Sequence, residues 1–280
     1  ALSDDGTAKI TLKLQDNSFI ESVLLVDETD RKTACLSSQA GCAMGCTFCK
    51  TATMGLIRNL TAGEIVEQFL HLQSRYGNIS NIVFMGMGEP LANLSEVMKS
   101  IKILHHPKGQ NIGHRKITIS TSGLTVKIKE LADMGIPVRL AVSLISADEK
   151  VRAELMPVAG KEALKDLKAS LVYFQEKAKK RITIEYVLMA GINDKKEDAI
   201  KLRHFTHNIK TIVNIIPWNP VEDLPYQEPE DKTVESFITI LEELSITVTK
   251  RYRKGRSVNG ACGQLAVLQN SSDPSDSGRA

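Results

Sequence analysis

The chain has 280 residues, of which 42% are hydrophobic and 25% charged, and its formal net charge is +3. This composition is typical of a globular protein that buries one sizeable α/β domain, and the charge is too small to identify a nucleic-acid-binding protein by itself. No apolar run approaches the ~18–20 residues that span a membrane, and no signal-peptide core is present, so the sequence predicts a cytoplasmic protein without membrane segments.

The N-terminal residues contain a hairpin pattern. Residues 8–15 and 19–26 alternate in a strand-like way on either side of a turn at 15–18, which predicts two antiparallel strands. We therefore assign residues 1–30 to an N-terminal β-hairpin extension. Because the first residue is Ala1 and not methionine, we expect the chain to be a fragment or a processed form of a longer one.

Strand and helix patterns alternate through the rest of the chain. Short segments rich in Ile, Val and Leu predict strands at 33–38, 81–86, 115–120, 138–144, 181–188 and 212–217. Helices are predicted at 61–75, 93–106, 124–134, 161–178, 195–209 and 232–244. The first of these helices begins with a capping box, Thr61 with Glu64 three residues later. Such βα repeats imply parallel strands joined by right-handed crossovers, so we assign residues 31–267 to one core. The stretch 268–280 is polar and is predicted to be a disordered tail.

The five cysteines indicate metal chemistry in a reducing compartment rather than a disulfide framework. Cys42, Cys46 and Cys49 form a C-x3-C-x2-C run directly after the first core strand. Three close thiolates suit an iron–sulfur cluster or zinc, and the missing fourth ligand is either a histidine from elsewhere or a position kept for substrate. A zinc site of three cysteines and one histidine stays open as an alternative, although no histidine lies within twenty residues of the run.

Further motifs follow at the predicted strand ends, where ligands of parallel α/β folds bind. In chain order, the quoted stretches are Phe48–Gly55, Met85–Leu91, Ile119–Gly123, Ile216–Pro220 and Ala261–Leu265. Together with the cysteine run, they resemble the radical S-adenosylmethionine (SAM) enzymes, and among these the RlmN-type rRNA and tRNA adenine methyltransferases with their Cfr-type relatives. The resemblance covers roughly residues 20–266. It implies an α/β fold, a partial (β/α)6 radical SAM barrel that carries the hairpin extension.

The resemblance also implies the cofactors. A [4Fe-4S] cluster would be held by Cys42, Cys46 and Cys49, and its fourth iron would bind SAM. The positions that match the family's SAM site are Gly88, Glu89, Ser120, Ser143, Leu144, Ile145 and Asn219. The family commonly has histidine where this chain has Ile145, so a side chain able to form hydrogen bonds is replaced by a hydrocarbon. The glycines before Glu89 are expected to let the backbone approach a ligand closely.

The two remaining cysteines match the family's methyl-transfer pair. The resemblance implies that Cys262 carries a methyl group as S-methylcysteine and that Cys35 later attacks its sulfur, forming a Cys35–Cys262 disulfide and releasing the RNA. Glu21 matches the family's proton acceptor if one residue is inserted between it and Cys35. Without the resemblance, Glu21 reads as an exposed strand carboxylate.

The function expected from these matches is methylation of adenosine C2 in 23S rRNA and in tRNA beside the anticodon. The expected partners are those RNAs and an electron donor such as flavodoxin or ferredoxin, and the protein is expected to be a monomer. The family's usual N-terminal helical RNA-binding domain is expected to be absent. Trp218, Tyr252 and the basic stretch 250–256 are candidates for RNA contacts.

Three other interpretations remain open. One is a Cfr-type enzyme that methylates C8 of the same rRNA adenosine, because it would use the same five cysteines. Another is a non-catalytic iron–sulfur or zinc RNA-binding relative, disabled by Ile145 or by loss of the helical domain. The third is a radical SAM enzyme that acts on a protein. Such an enzyme would not need both Cys35 and Cys262.

Overall fold

The structure is a computed structural model, and it describes residues 1–251 and 255–266. Tyr252 and the predicted disordered tail at 268–280 lie outside the described residues. The strands are β1 (Ala8–Lys13), β2 (Phe19–Val26), β3 (Lys32–Cys35), β4 (Gln39–Gly41), β5 (Leu56–Asn59), β6 (Asn81–Phe84), β7 (Ile117–Thr121), β8 (Arg139–Ser143), β9 (Ile182–Leu188), β10 (Thr211–Pro217) and β11 (Val248–Lys250). The helices are α1 (Lys50–Thr53), α2 (Ala62–Tyr76), α3 (Leu94–His105), α4 (Thr125–Asp133), α5 (Glu149–Leu155), α6 (Leu164–Ala178), α7 (Lys196–Thr206) and α8 (Asp231–Glu243).

Nine of the strands in the described part of the chain form one sheet, in the order β1-β2-β3-β6-β7-β8-β9-β10-β11. The strands from β3 onward in that order pair in parallel, and β1, β2 and β3 pair antiparallel. The alternation of parallel strands with helices confirms the predicted α/β barrel fold. The predicted hairpin is also present, and it extends the sheet beyond β3.

Local sequence explains where the elements begin and what they bury. Helix α2 starts at the predicted capping box, in which Thr61 Oγ1 accepts from the Glu64 N–H and the Glu64 carboxylate accepts from the Thr61 N–H. Its apolar face buries Phe69 and Leu72 completely. Each such side chain contributes about 1.5–3 kcal/mol through its removal from water, so the core fixes the strands whose ends form the site.

Four short features were not predicted from the sequence. Helix α1 follows the cysteine run, strands β4 and β5 form a separate two-stranded ribbon, β11 adds a further parallel strand beside β10, and α5 follows β8. The ribbon strands and β11 have three or four residues each, which is too short for an alternating pattern to stand out. The ribbon nevertheless matters, because the predicted cluster loop begins where β4 ends.

Residues 255–266, here called the C-terminal segment, close the mouth of the barrel. The Gly255 N–H donates to Asp5 Oδ2 at 2.8 Å, before the hairpin. Near the other end of the segment, Thr51 Oγ1 donates to the Leu265 carbonyl at 2.5 Å. These contacts bring Cys262 over the ends of the strands. Within the described residues, no helix has the length and apolarity needed to cross a membrane.

Candidate active site

Two neighbouring cavities lie at the mouth of the barrel. The first, here called the cluster cavity, has a volume of about 170 Å³. Its lining includes the side chains of the cysteine run and polar residues from several strand ends. The lining residues include Cys42, Cys46, Cys49, Glu89, Ser120, Ser122, Ser143, Ile145, Glu185 and Asn219.

The second cavity, here called the hairpin cavity, lies between the hairpin side of the sheet and the C-terminal segment. It has a volume of about 400 Å³, and its walls include Val23, Thr33 and Cys35. Cys262, Arg251 and Asn219 line both cavities. Cys262 therefore stands where the two spaces meet.

The loop that carries the cysteine run is held on several sides. The Thr47 N–H donates to the Leu155 carbonyl at 3.0 Å, and Tyr226 Oη donates to Thr47 Oγ1 at 2.5 Å. Trp218 is buried, and its indole N–H donates to the Phe48 carbonyl at 3.2 Å. The predicted RNA-contact candidate Trp218 thus packs on the loop, while its ring also lines the cluster cavity.

The thiols of this loop suit a bound iron–sulfur cluster. Burial raises the pKa of the Cys42 thiol to about 11 and also raises those of Cys46 and Cys49, so a metal must displace their protons on binding. Among the described residues, no three His, Cys, Asp or Glu side chains gather tightly enough to hold one metal ion. In a cubane each thiolate binds a different iron, so the donors need not converge, and the set fits a cluster better than a single zinc ion.

Glu89 presents a buried carboxylate beside this loop. Its Oε1 accepts from the Leu91 N–H at 3.0 Å and its Oε2 from the Ser122 N–H at 2.7 Å. Burial raises the pKa of this carboxyl group. No ion pair to Glu89 occurs within the described residues, so the site offers an acceptor for a cationic group such as the ammonium of SAM.

Two further buried polar atoms of the cluster cavity, Ser122 Oγ and Asn219 Oδ1, have no hydrogen-bond partner among the described residues. Buried polar groups in native proteins are nearly always satisfied, by protein, water or ligand. A polar ligand in the cavity would satisfy both atoms. The cavity thus fits a polar small molecule beside three thiols, as the cofactor prediction requires.

The glycines before Glu89 are required by packing within the protein, and their close approach to a ligand stays a prediction. A Cβ on Gly88 would lie 2.5 Å from the Cβ of Gln39, and φ at Gly88 is +97°. A Cβ on Gly86 would lie 2.7 Å from Ser37 Oγ. Both positions need glycine because the segment that follows β3 passes directly over them, although Gly88 also lines the cluster cavity.

The predicted SAM-binding residues at the end of β8 point in different directions. Ser143 and Ile145 line the cluster cavity, as does Ser120 at the end of β7. The Leu144 side chain packs into the main core, and its N–H donates to the Glu185 carbonyl at 3.1 Å. Ile145 has φ +63°, a left-handed conformation that is strained for a β-branched residue. Its carbonyl accepts from Asn193 Nδ2 at 2.7 Å, which helps to hold that conformation.

The predicted cysteine pair lies at the hairpin cavity. Burial raises the pKa of the Cys35 thiol to about 12, the neighbouring Cys262 raises it further, and the Arg251 guanidinium opposes the shift. Arg251 belongs to the predicted RNA-binding basic stretch, but it turns inward and lines both cavities. Lys250, in the same stretch, instead pairs with Glu235 at 2.6 Å.

Glu21, the predicted proton acceptor, is 3% exposed and not the exposed carboxylate of the alternative interpretation. Its Oε1 lies 2.7 Å from Lys9 Nζ, and its Oε2 accepts from the Ala266 N–H at 3.0 Å. Glu21 is not among the described residues that line either cavity. Its role as a proton acceptor stays a prediction, and it would require release from these partners.

Two buried charged residues of the site were missed. Glu185 lines the cluster cavity, accepts from Asn214 Nδ2 at 2.7 Å through Oε2, and has its pKa raised by burial. Arg152, in α5, is 1% exposed. The signal for Glu185 was a lone charge in the apolar strand 182–188, at the same parity as the cavity-lining Val187. Arg152 carries no comparable signal, because a single arginine in a polar stretch is predicted to be exposed at the protein surface.

Comparisons with known proteins agree with this geometry. Residues 36–203 match the family model of the Radical SAM superfamily. A Treponema denticola protein named "Probable dual-specificity RNA methyltransferase RlmN" is 52% identical, over 95% of this chain and 77% of the relative. A Treponema pallidum protein of the same name is 49% identical, over 93% of this chain and 77% of the relative. The crystal structure of a radical SAM methyltransferase from Sphaerobacter thermophilus superposes with a TM-score of 0.92 and 40% identity, covering 95% of this chain and 79% of that one.

Proposed function

We propose that this chain, which belongs to the RlmN family of radical SAM RNA methyltransferases, methylates C2 of an adenosine in 23S rRNA and in tRNA. The observation that carries the proposal is the position of Cys262 at the junction of the two cavities, between the predicted cluster ligands and Cys35. A methyl carrier must reach a cofactor on one side and a base on the other. Cys262 has access to both.

The cofactors would occupy the cluster cavity. Cys42, Cys46 and Cys49 would hold a [4Fe-4S] cluster, and Glu89, Ser120, Ser143 and Asn219 would hold SAM. When bound, these groups supply methyl transfer and a 5′-deoxyadenosyl radical. Glu89 suits the ammonium of SAM because its carboxylate is buried without an ion-pair partner in the described residues. Gly88 would act through its backbone, and Ile145 would give an apolar contact where relatives commonly have histidine. Leu144 would support the site indirectly, because its N–H donates to the Glu185 carbonyl and its carbonyl accepts from Arg152.

The protein's own contribution is a two-cysteine exchange. Cys262 would carry the one-carbon unit as a thioether. Its methyl group would lose one hydrogen atom to the radical that the bound cofactors would supply, and the remaining carbon would bond to C2, so that it bridges the sulfur and the base. The C2 hydrogen would then leave as a proton, and the odd electron would return to the cluster. With the C2 proton removed, the Cys35 thiolate attacks that sulfur. The sulfur–carbon bond breaks with its electron pair left on the bridging carbon, which takes a proton and becomes the methyl group. The two cysteines lose two electrons and form a disulfide. Glu21 is the proposed acceptor of the C2 proton.

The base is proposed to enter through the hairpin cavity. Adenine C2 is hidden in the minor-groove face of a helix, so the enzyme must act on single-stranded RNA or on a base drawn out of its stack. Of the polar residues there, Asn214 and Thr33 line the cavity and could meet a base edge. An external one-electron donor, such as flavodoxin or ferredoxin, would reduce the cluster, and the protein would act as a monomer.

The proposal is tested by the mass of the peptide that contains Cys262, after expression with iron and sulfide and incubation with RNA. In the wild type we expect Cys262 to be heavier by one methyl group. In Cys35→Ala we expect RNA to remain covalently attached to it, because no thiolate can resolve the bridge. Cys262→Ala is the matched control and should lack both the methyl group and the adduct.

An unmodified Cys262 in protein with an intact cluster would contradict the two-cysteine route and favour a non-catalytic RNA-binding relative. Nucleoside mass spectrometry of the RNA then decides the position. We expect 2-methyladenosine, and 8-methyladenosine would assign the chain to the Cfr-type reaction instead.

A further inference from the structure

Arg152 is a buried cation for which the described residues provide no counterion. Its side chain is 1% exposed, and none of the ion pairs in the described residues includes it. One of its nitrogens, Nε, is buried and has no hydrogen-bond partner in the part of the chain that the structure describes. A buried ion is destabilised by several kcal/mol unless an opposite charge or strong hydrogen bonds compensate it. Its compensation therefore needs an explanation.

The partners of Arg152 are backbone carbonyls at the strand ends of the cluster cavity. Nη2 donates to the Ser122 carbonyl at 2.6 Å. Nη1 donates to the Ser143 carbonyl at 3.0 Å and to the Leu144 carbonyl. It also lies 3.4 Å from the sulfur of Met156, another residue of the cavity lining. The carbonyl groups accept hydrogen bonds from Nη1 and Nη2, but they carry no full negative charge to balance the guanidinium.

The helix that carries Arg152 also holds the cysteine loop. Leu155, at the end of α5, accepts hydrogen bonds from both the N–H and the hydroxyl of Thr47, which lies between Cys46 and Cys49. The side chain of Arg152 also contacts Ser122, Ser143 and Met156, which line the cluster cavity. One short helix therefore holds the cysteine loop and places the guanidinium behind the wall of the cavity where the predicted cluster would bind.

The neighbouring glycine shows that room for this guanidinium is built in. Gly123 ends the motif Ile119–Gly123 and has φ +111°. A Cβ at this position would lie 3.0 Å from Arg152 Nη2 and 3.1 Å from Leu167 Cδ1. A side chain there would push directly on the cation.

We propose that Arg152 is a positioning residue whose charge is the counterion of the iron–sulfur cluster and raises the cluster's reduction potential. The inference rests on the cluster assigned under the proposed function. A [4Fe-4S] core bound by three thiolates is net negative, and each electron it accepts adds negative charge. A fixed cation nearby, in a site of low dielectric, stabilises the reduced state more than the oxidised state. Electron entry is thereby made easier.

Glu89 is the other charged group of the cluster cavity that Arg152 could support. It contacts the same residue as Arg152 does, because its Oε2 accepts from the Ser122 N–H while Arg152 donates to the Ser122 carbonyl. If Arg152 only supported Glu89 through the backbone of Ser122, its loss would weaken SAM binding and leave the potential of the cluster unchanged. The two roles therefore separate in one experiment.

The test is a redox titration of the anaerobically reconstituted protein without RNA, followed by electron paramagnetic resonance. We expect Arg152→Met and the smaller change Arg152→Gln to reduce the equilibrium constant for reduction about tenfold, which is a potential lower by about 59 mV for one electron. Arg152→Lys should keep most of the wild-type potential, because it keeps the charge. Arg75→Met removes an exposed arginine near the end of α2 and should leave the potential unchanged.

An unchanged potential in Arg152→Gln or Arg152→Met, with the cluster present at the wild-type iron content, would overturn the inference. So would an equal drop in Arg152→Lys, because the fork of hydrogen bonds and not the charge would then matter. Failure of the wild type to assemble any cluster is a different result, which rejects the proposed function itself. If Arg152→Met does not fold, Arg152→Gln and Arg152→Lys still decide between charge and shape.

Discussion

The cluster cavity and the hairpin cavity are built in different ways. The cluster cavity is bounded by strand ends that touch one another so closely that Gly86 and Gly88 admit no side chain. Buried charged groups, Glu89 and Arg152, are fixed around it by backbone hydrogen bonds. The hairpin cavity is bounded instead by the hairpin and the C-terminal segment, which lie far apart in the chain.

This difference teaches where precision is needed. A cofactor that generates a radical must be held in one geometry, and dense packing of strand ends supplies that. A nucleotide must enter and leave, which suits a wall attached through a few hydrogen bonds such as those from Gly255 and Thr51. Substitutions at the cluster cavity and at the wall of the hairpin cavity should therefore have different effects.

The largest effect is expected from Gly88→Ala, which strikes the packed side. The added Cβ would collide with Gln39, and φ +97° is strained for alanine. We expect a loss of about 3 kcal/mol in the free energy of unfolding, measured with urea. Gly135→Ala is the matched control, because φ is +66° there and no atom lies within 4 Å of the new Cβ. It should lose only about 1 kcal/mol, and an equal loss in both variants would show that close packing at Gly88 is unimportant.

Ile145→Ala should be less destabilising than other truncations of buried isoleucines. Removal of the β-branched side chain relieves part of the strain at φ +63°, so we expect a loss of about 2 kcal/mol. Ile184→Ala, at a fully buried position in β9, has no such relief and should lose about 3–4 kcal/mol. Equal losses in urea unfolding would mean that the backbone at Ile145 stores no strain.

Glu185→Gln tests the boundary between the cavities, because Glu185 lines one and its partner Asn214 lines the other. Burial raises the pKa of Glu185 in the folded state, so the folded protein loses stability as pH rises from the ordinary glutamate range through that raised pKa. The neutral variant avoids this loss. It should be about 1 kcal/mol more stable than the wild type at about pH 8, with a smaller difference at about pH 5.

Urea unfolding at the two pH values measures this difference. Glu67→Gln, at an exposed position of α2, controls for the loss of one negative charge at the surface. If the advantage of Glu185→Gln grew as the pH fell, the carboxylate would be stabilised rather than strained by its site.

The smallest effect on global stability is expected from Thr51→Val, which removes the hydrogen bond to Leu265. We expect a loss of no more than about 1 kcal/mol in unfolding. Amide hydrogen exchange in residues 255–266 should nevertheless become several-fold faster. Thr53→Val removes a hydroxyl that bonds only within its own turn, to the Lys50 carbonyl, and should leave that exchange unchanged. Unchanged exchange in Thr51→Val would show that the C-terminal segment is held by other contacts.

The sequence predicted the barrel and most of its strands because each strand has enough apolar residues for a pattern, as in Ile182–Leu188. It did not predict the ribbon or β11, which have three or four residues per strand and depend on partners for their conformation. The structure places the predicted Ser143 and Ile145 in one cavity but turns Leu144 into the core. That difference follows from side-chain direction at a strand end, which a motif does not encode.

Other features of the site depend on contacts across the fold. The pairing of Glu21 with Lys9 joins neighbouring strands of the hairpin, and the sequence alternation gives no hint that both oxygens are occupied. Arg152 becomes notable only because it is buried without a counterion in the described residues, and burial of a single helix residue is set by its neighbours in space. Motifs therefore predicted the residues of the candidate site, and packing determined which charged groups surround those residues.

The closure of the mouth by the C-terminal segment sets the order of events during synthesis. Thr51 and Leu265 are separated by 214 positions in the chain, and Asp5 and Gly255 by 250. At about 5–20 residues per second, roughly 10–40 s pass between translation of the cysteine loop and translation of the segment that brings Cys262 to it. A growing chain can therefore expose the thiols that are proposed to bind the cluster well before the proposed methyl carrier exists. Cys262 reaches the cluster cavity only when nearly all of the described chain has left the ribosome, so the proposed radical chemistry on RNA would begin only after the barrel around it is complete.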